Sequence, residues 1–244
     1  MFSYLYNTIL VNPLYNSLVG LMDVFPWMDA GIAVIILTII VRLILFPLSK
    51  KAIVTQVRMK EIEPEMNRLR EQYKNDRQTQ AMKMMQLYKD KKISPFSSIL
   101  VLLIQLPILL ALYHIFLNSG LPVVNTSLLY TFVSVPVIDI HFLGLVDITQ
   151  KSLILAIFAA VSQYIQLHYS LASVKMPDSQ KGSNPQMDMA QNMTRNMKYF
   201  FPILIFVFAI TLPAVVAVYW ITTNLFTLGQ ELVVRKHLKN HQPL

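Results

Sequence analysis

Arg42 has the strongest claim to chemistry, because it stands inside an otherwise apolar run, Ile39-Ile-Val-Arg-Leu-Ile-Leu-Phe-Pro-Leu48. An ionisable group placed so deep is costly and tends to face a wet cavity or a partner. Thr38, one helical turn earlier, shares its face, and Ser49 follows two turns beyond. Other apolar runs carry polar side chains toward one end only: Ser97, Ser98 and Gln105 in one, Gln163, Gln166 and Ser170 in another, and Thr223, Thr227 and Gln230 along a single stripe. Their opposite ends, such as Ile108-Leu-Leu-Ala-Leu112 and Ala214-Val-Val-Ala-Val218, hold almost no polar side-chain atom. This bias predicts a water-containing pocket open on one side and plugged by apolar residues on the other. Its chemistry would be charge attraction and hydrogen bonding to a polar guest.

Each piece has a plainer reading. Arg42 lies about 12 Å of helix rise from Lys50, so its side chain could instead snorkel to lipid phosphate. Ser, Thr and Gln within spans commonly join helices to one another, and His114 reads as an interfacial or core histidine. No carboxylate or second histidine recurs at metal-ligand spacing in these runs, and the chain has no cysteine. Neither a metal site nor thiol chemistry is expected. With no GxxxxGK or GxGxxG among only six glycines, no phosphate loop is present. The expectation is a protein that is not an enzyme and takes no cofactor.

The elements that must position these residues are long and apolar. Hydrophobic residues make up 55% of the 244 and charged residues only 14%, against about 25% charged in an ordinary soluble domain. Judged against about 20 residues per crossing, five spans emerge: 31–48, 96–117, 151–170, 198–212 and 213–231. Ser94 and Pro95 read as the start of the second span, with Asp147 and Gln150 capping the third. Pro213 makes a turn between the fourth and fifth, which are near 15 residues each in their apolar parts. Nineteen of the 21 basic residues fall in the segment 49–95, around the segment 171–197 and in the tail 232–244, whereas 1–30 and 118–150 contain none. Positive charge marks the cytoplasmic side. Five spans put all three basic segments there; four would strand the tail outside.

The expected architecture is therefore all-α: a polytopic membrane protein of five transmembrane helices with a cytoplasmic helical hairpin, N-terminus outside and C-terminus cytoplasmic. Residues 1–30 lack a basic n-region and read as an extracytoplasmic segment with an interfacial helix around Tyr4, Leu5, Ile9 and Leu10, not as a signal peptide. Residues 118–150 read as an extracytoplasmic loop. Within 49–95, Ile62, Met66, Leu69 and Tyr73, then a turn at Lys74-Asn-Asp76, then Ala81, Met84, Met85 and Tyr88 describe a hairpin whose first arm Pro64 should bend. Residues 171–197 read as a loose loop around Pro177, Gly182 and Pro185.

Ten of the thirteen methionines lie in the two large polar segments. Flexible thioethers suit variable apolar ligands, so Met59, Met66, Met84 and Met85 are candidates for a substrate-receiving face of the hairpin; packing between its arms is the alternative. The basic face of the hairpin is solvated, or meets anionic lipid or ribosomal RNA. DNA is not an expected partner.

Taken in order, the Arg42 run, Glu63-Pro-Glu-Met66 through Leu87-Tyr-Lys89, Leu103-Ile-Gln-Leu-Pro-Ile-Leu-Leu-Ala-Leu-Tyr113 and Val218-Tyr-Trp-Ile-Thr-Thr-Asn-Leu225 resemble the YidC/Oxa/Alb membrane protein insertases. The likeness runs from about residue 30 to 236. It implies a groove open to cytoplasm and bilayer, a groove arginine at Arg42, and nascent-helix contacts at Thr38 and the Tyr219-Trp220 pair. Ser94-Pro-Phe-Ser-Ser98 departs from the usual Asn-Pro-x-x-Gly, and Trp220 stands where a second tyrosine can occur.

What the resemblance implies is an insertase that moves hydrophobic segments and short hydrophilic flanks of nascent membrane proteins from the cytoplasm into the lipid bilayer. The ribosome and a Sec-type translocon are further candidate partners. A bacterial plasma membrane is the expected location, since no transit-peptide composition is present. The rival readings are a secondary transporter or channel, which would show paired repeats and broken helices at mid-membrane, and a structural assembly factor for membrane complexes.

Overall fold

A computed structural model describes the backbone of residues 2–93, 97–118, 121, 123–172 and 185–241. It is mostly helical, with one two-stranded sheet as its departure from an all-α chain. In chain order the elements are α1 (Phe2–Tyr6), a π-helical segment (Asn7–Val11), α2 (Asn12–Val24), α3 (Ala30–Ile44), α4 (Phe46–Glu61), α5 (Glu63–Gln72), α6 (Arg77–Asp90), α7 (Ser97–Asn118), a 3₁₀ turn (Thr126–Leu128), β1 (His141–Phe142), β2 (Val146–Asp147), α8 (Leu153–Ala172), α9 (Pro185–Thr211) and α10 (Ala214–His241). The chain divides into two compact units: residues 1–44 with 106–228, and residues 45–105 with 229–244.

In the first unit, α2 buries Tyr15, Leu18, Val19 and Met22 completely, so the N-terminal segment is packed along one face while Tyr4, Leu5 and Ile9 stay exposed. Asn16 ties it down, donating to the Leu128 carbonyl at 2.8 Å and accepting from the Tyr130 N–H at 2.6 Å. Asp29 starts α3: one carboxylate oxygen accepts the Ile32 N–H at 2.8 Å and the other the Leu143 N–H at 3.0 Å. A carboxylate there satisfies a free donor and complements the positive helix end. The β1–β2 turn places Leu143 and Gly144 at positive φ, 54° and 69°. The first N–H groups of α10 are likewise satisfied, Ala214 by the Gln150 carbonyl at 2.7 Å and Val215 by that of Ile148 at 2.9 Å.

Several expected boundaries move. The run 31–48 is not one helix: α3 ends at Ile44, and a new helix, α4, starts at Phe46. Pro47 sits in the first turn of α4, where a missing N–H costs nothing, whereas inside a continuous helix it would break a hydrogen bond. Ser49 therefore lies beyond the break, not on the Thr38–Arg42 face. Asp147 does not cap the third apolar helix. It accepts from the N–H and hydroxyl of Thr149, and the hydroxyl of Ser152 takes the Leu155 N–H at 3.3 Å instead. Residues 185–197, expected as loop, belong to α9; Met, Gln, Ala and Arg are good helix formers, and Pro185 suits a first turn. The tail is also helical, since α10 runs to His241. At 27 and 28 residues, α9 and α10 are not short helices, although the apolar part of α9, Lys198–Thr211, is. The Ser94–Pro95 start and the turn residues Pro177 and Gly182 lie outside the described residues.

In the second unit, Pro64 opens a new helix, α5, after a break at Ile62. The pairs Arg70–Gln80, Met66–Tyr88 and Glu65–Lys91 are linked at 2.9, 3.6 and 2.8 Å. They step down one helix as they climb the other, so α5 and α6 run antiparallel. Ile62, Met66 and Ile93 form their core, with Met59, Met84, Leu87 and Tyr88 packed against it.

Among the described residues, Leu153–Ser170 is long and apolar enough to cross a bilayer alone, and Ala30–Ile44 with Phe46–Glu61 qualifies as a bent pair. Gln105–Phe116 and Lys198–Thr211 are shorter apolar helices.

Candidate functional site

The first unit exposes many aliphatic side chains and buries a small set of polar ones within an apolar core. Leu43 and Ile44 of α3, Ile154, Ile157 and Phe158 of α8, and Ile203 and Val207 of α9 are exposed. Thr38, Arg42, Ser162, Thr222, Thr223 and Asn224 are buried. In water such a surface would be penalised at about 25 cal/mol per Å² of apolar area. Against lipid it costs nothing, and polar side chains then turn inward to find partners.

Arg42 is 7% exposed, so its head is held among protein groups and does not snorkel along the surface. The buried phenol of Tyr219 on α10 lies within electrostatic reach of it. The hydroxyls of Thr38, Thr222 and Thr227 each donate to the carbonyl four residues earlier, Val34, Val218 and Thr223, at 2.6, 2.8 and 2.8 Å. Each keeps oxygen lone pairs as acceptors, a chemistry that matches a cation. Asn224 donates to the Ser162 hydroxyl at 3.0 Å, and that hydroxyl in turn donates to the Ala159 carbonyl at 2.8 Å. The Thr223 hydroxyl oxygen is buried with no hydrogen-bond partner among the described residues. Leaving such a group unsatisfied costs about 1–3 kcal/mol.

Of the residues expected from sequence, Thr38, Arg42, Tyr219 and Thr223 are buried in the first unit. Trp220 and Thr227 are half-buried there. Gln163 and Gln166 are half-buried and bond to each other at 3.3 Å, one turn apart on α8. Gln105 and Gln230 fall in the second unit. Of the four methionines proposed to receive substrate, Met66 is core and Met59 and Met84 pack on it, which gives those three a structural role. Met85 is exposed, and so is Met82 beside it.

The family model described as 60Kd inner membrane protein matches residues 21–241. The chain belongs to this family. Among curated relatives of this inner membrane protein family, the membrane protein insertase YidC of Clostridium tetani is 34% identical over 217 residues, 88% of this chain and 86% of the relative. Membrane protein insertase YidC of Helicobacter pylori is 33% identical over 210 residues, covering 86% of this chain but 34% of that protein. The Francisella tularensis subsp. novicida protein of the same name is 30% identical over 208 residues, 85% of this chain and 32% of its own length. The chain thus spans about a third of the last two.

Sequence reasoning missed Ser162, Thr222 and Asn224 as buried polar residues of this inner membrane protein. Asn224 was legible as a lone amide in an apolar stretch; that Ser162 would meet it, 62 residues away, had no local signal. Among the described residues no group of three His, Cys, Asp or Glu could hold a metal.

Proposed function

We propose that the chain is a membrane protein insertase working through five spans, N-terminus outside, with the buried polar residues of α3, α8 and α10 lining a hydrated groove open to the cytoplasm. The observation that carries this reading is the first unit's surface and interior taken together: a guanidinium and a set of hydroxyls buried within its apolar core, aliphatic residues exposed outside, in a chain whose relatives are named insertases. Moving a hydrophilic tail through hydrocarbon is expensive because its backbone and charges lose water. A wet half-channel shortens the dry path. Arg42 would attract acidic residues of the arriving tail, with Thr38, Tyr219, Trp220, Thr223 and Thr227 as contacts and Gln163 and Gln166 on α8. A guanidinium and a carboxylate about 4 Å apart attract by about 4 kcal/mol at an effective dielectric near 20.

The antiparallel α5–α6 pair serves as a cytoplasmic hairpin that first meets substrate, and exposed Met82 and Met85 are its apolar contacts. Clients are nascent membrane proteins, with the ribosome and a Sec-type translocon as further partners. The driving terms are transfer of the substrate helix into lipid and, where present, the membrane potential. No covalent bond changes.

Purified chain reconstituted in liposomes should insert a short single-span substrate without other proteins and without ion flux. Flux of ions or solutes in place of insertion would identify a transporter or channel; neither insertion nor flux would leave an assembly factor.

A further inference from the structure

Among the described residues, the four most exposed large apolar side chains of the first unit are not on its helices. Val137 is 98% exposed, Leu145 82%, Phe132 80% and Val123 75%, all in the connection 123–150, and Trp27, at 72%, lies in the connection 25–29. Hydrogen bonds hold those connections together: Ser134 N–H to Asp23 at 3.3 Å, Ala30 N–H to the Asp139 carbonyl at 2.8 Å, and Leu143 N–H to Asp29 at 3.0 Å. The rings of Tyr130 and Phe132 pack tilted with centroids 5.6 Å apart, and those of Phe25 and Trp27 meet edge to face at 6.3 Å. Short helix connections need no such residues, and an apolar surface of this extent marks a partner.

We propose that these two connections form an apolar wedge seated in the headgroup–acyl boundary of the outer leaflet. Three observations choose lipid over protein or nucleic acid. Residues 1–30 and 118–150 contain no Lys or Arg, so anionic partners have nothing to grip. Each of the four carboxylates in those stretches holds a backbone N–H: Asp23 that of Ser134, Asp29 those of Ile32 and Leu143, Asp139 that of His141, and Asp147 that of Thr149. Backbone entering a water-poor layer must be satisfied internally in this way. The apolar surface then resumes at Leu153 and Ile154, the first residues of α8, and Trp27 and Tyr130 have the amphipathic rings that prefer the interface.

The choice of leaflet rests on the five-span reading, and the test separates the two. The chain has two tryptophans, Trp27 and Trp220. Trp220→Phe leaves Trp27 as sole reporter in vesicles of phosphatidylcholine with brominated acyl chains. A second reporter is Phe132→Trp in a chain carrying Trp27→Phe and Trp220→Phe, and Phe158→Trp in that background is the span control. The expected result is blue-shifted emission from Trp27 and position 132, protection from acrylamide, and stronger quenching by bromine high on the chain than near its end. Quenching of both by acrylamide and not by bromine, with position 158 quenched by bromine, overturns the wedge and leaves the spans standing. Bromine quenching at none of the three overturns the membrane reading as well. Protection from both quenchers that is lost on dilution in lipid shows a protein contact and overturns the wedge.

Discussion

The side-chain amide of Asn224 on α10 reaches the hydroxyl of Ser162 on α8 at 3.0 Å, between residues that are both buried. It joins two helices through polar atoms in an interior made mostly of alanine and valine at neighbouring positions, including Ala156, Ala159, Val215 and Val218. Ser162→Ala leaves the Asn224 amide unsatisfied and should cost about 1–3 kcal/mol of stability. Ser162→Ala with Asn224→Leu removes both polar ends and should cost less than the sum of the single changes. Thermal unfolding of the four proteins in one detergent gives the coupling; strict additivity would show that the two side chains do not share a hydrogen bond in solution.

Arg42 sets a second expectation, which depends on the charge of the substrate. Losing a hydrogen bond to a charged group is worth about 1.5–3 kcal/mol, roughly a tenfold to hundredfold change in rate. Arg42→Ala should slow insertion of substrates with acidic tails by about that factor and leave neutral-tailed substrates little changed, while Arg42→Lys retains most of the activity. Insertion rates in liposomes across a tail-charge series measure this. Equal rates for both variants on every substrate would remove the electrostatic role.

The parts of this architecture that were legible are those written in local pattern. Arg42 and Thr38 announce themselves as polar residues in an aliphatic run, and the 3.6-residue spacing of Ile62, Met66, Leu69 and Tyr73 describes an amphipathic helix. The break at Leu45 was hidden because the apolar run continues from Gly31 to Leu48 with only Thr38 and Arg42 between; Pro47, in the first turn of α4, was the local signal for it. Residues 185–197 misled in the opposite sense, Pro185 and the Asn residues suggesting loop where Met, Gln, Ala and Arg favour helix. The assignment of Met66, Met59 and Met84 to a core and of Met85 to the surface depends on how α5 lies on α6, which periodicity does not specify. The Ser162–Asn224 pairing is a tertiary fact.

Gly31 and Phe142 make a third test. A methyl group added at Gly31 would lie 2.8 Å from Cγ and 3.0 Å from Cβ of Phe142. Neither side gives easily, because Asp29 holds the start of α3 and Phe142 pairs with Val146 across the β1–β2 ladder. Gly31→Ala should cost about 1–3 kcal/mol, the usual range for overpacking. Gly31→Ala with Phe142→Ala should recover part of that loss relative to Phe142→Ala alone. Unfolding midpoints in detergent provide the check, and a Gly31→Ala protein as stable as the parent would show that the ring moves aside freely.

The start of α6 offers a test by pH, in a segment outside the proposed spans. Asp76 accepts from the Thr79 hydroxyl at 2.6 Å and from the Thr79 N–H at 3.0 Å, and these bonds hold its carboxyl below the ordinary 3.8. A depressed folded value means that the ionised cap supports the helix above the unfolded value near 3.8, and the support is lost as pH falls through the lower folded value. Asp76→Ala should therefore speed amide exchange at Thr79 and Gln80 at neutral pH, while in strong acid the difference from the parent should shrink. Asp76→Asn, which keeps a capping oxygen without titrating, should protect these amides at both ends of the range. An Asp76→Ala effect of the same size at neutral and strongly acid pH would show that the carboxylate charge contributes nothing to the cap.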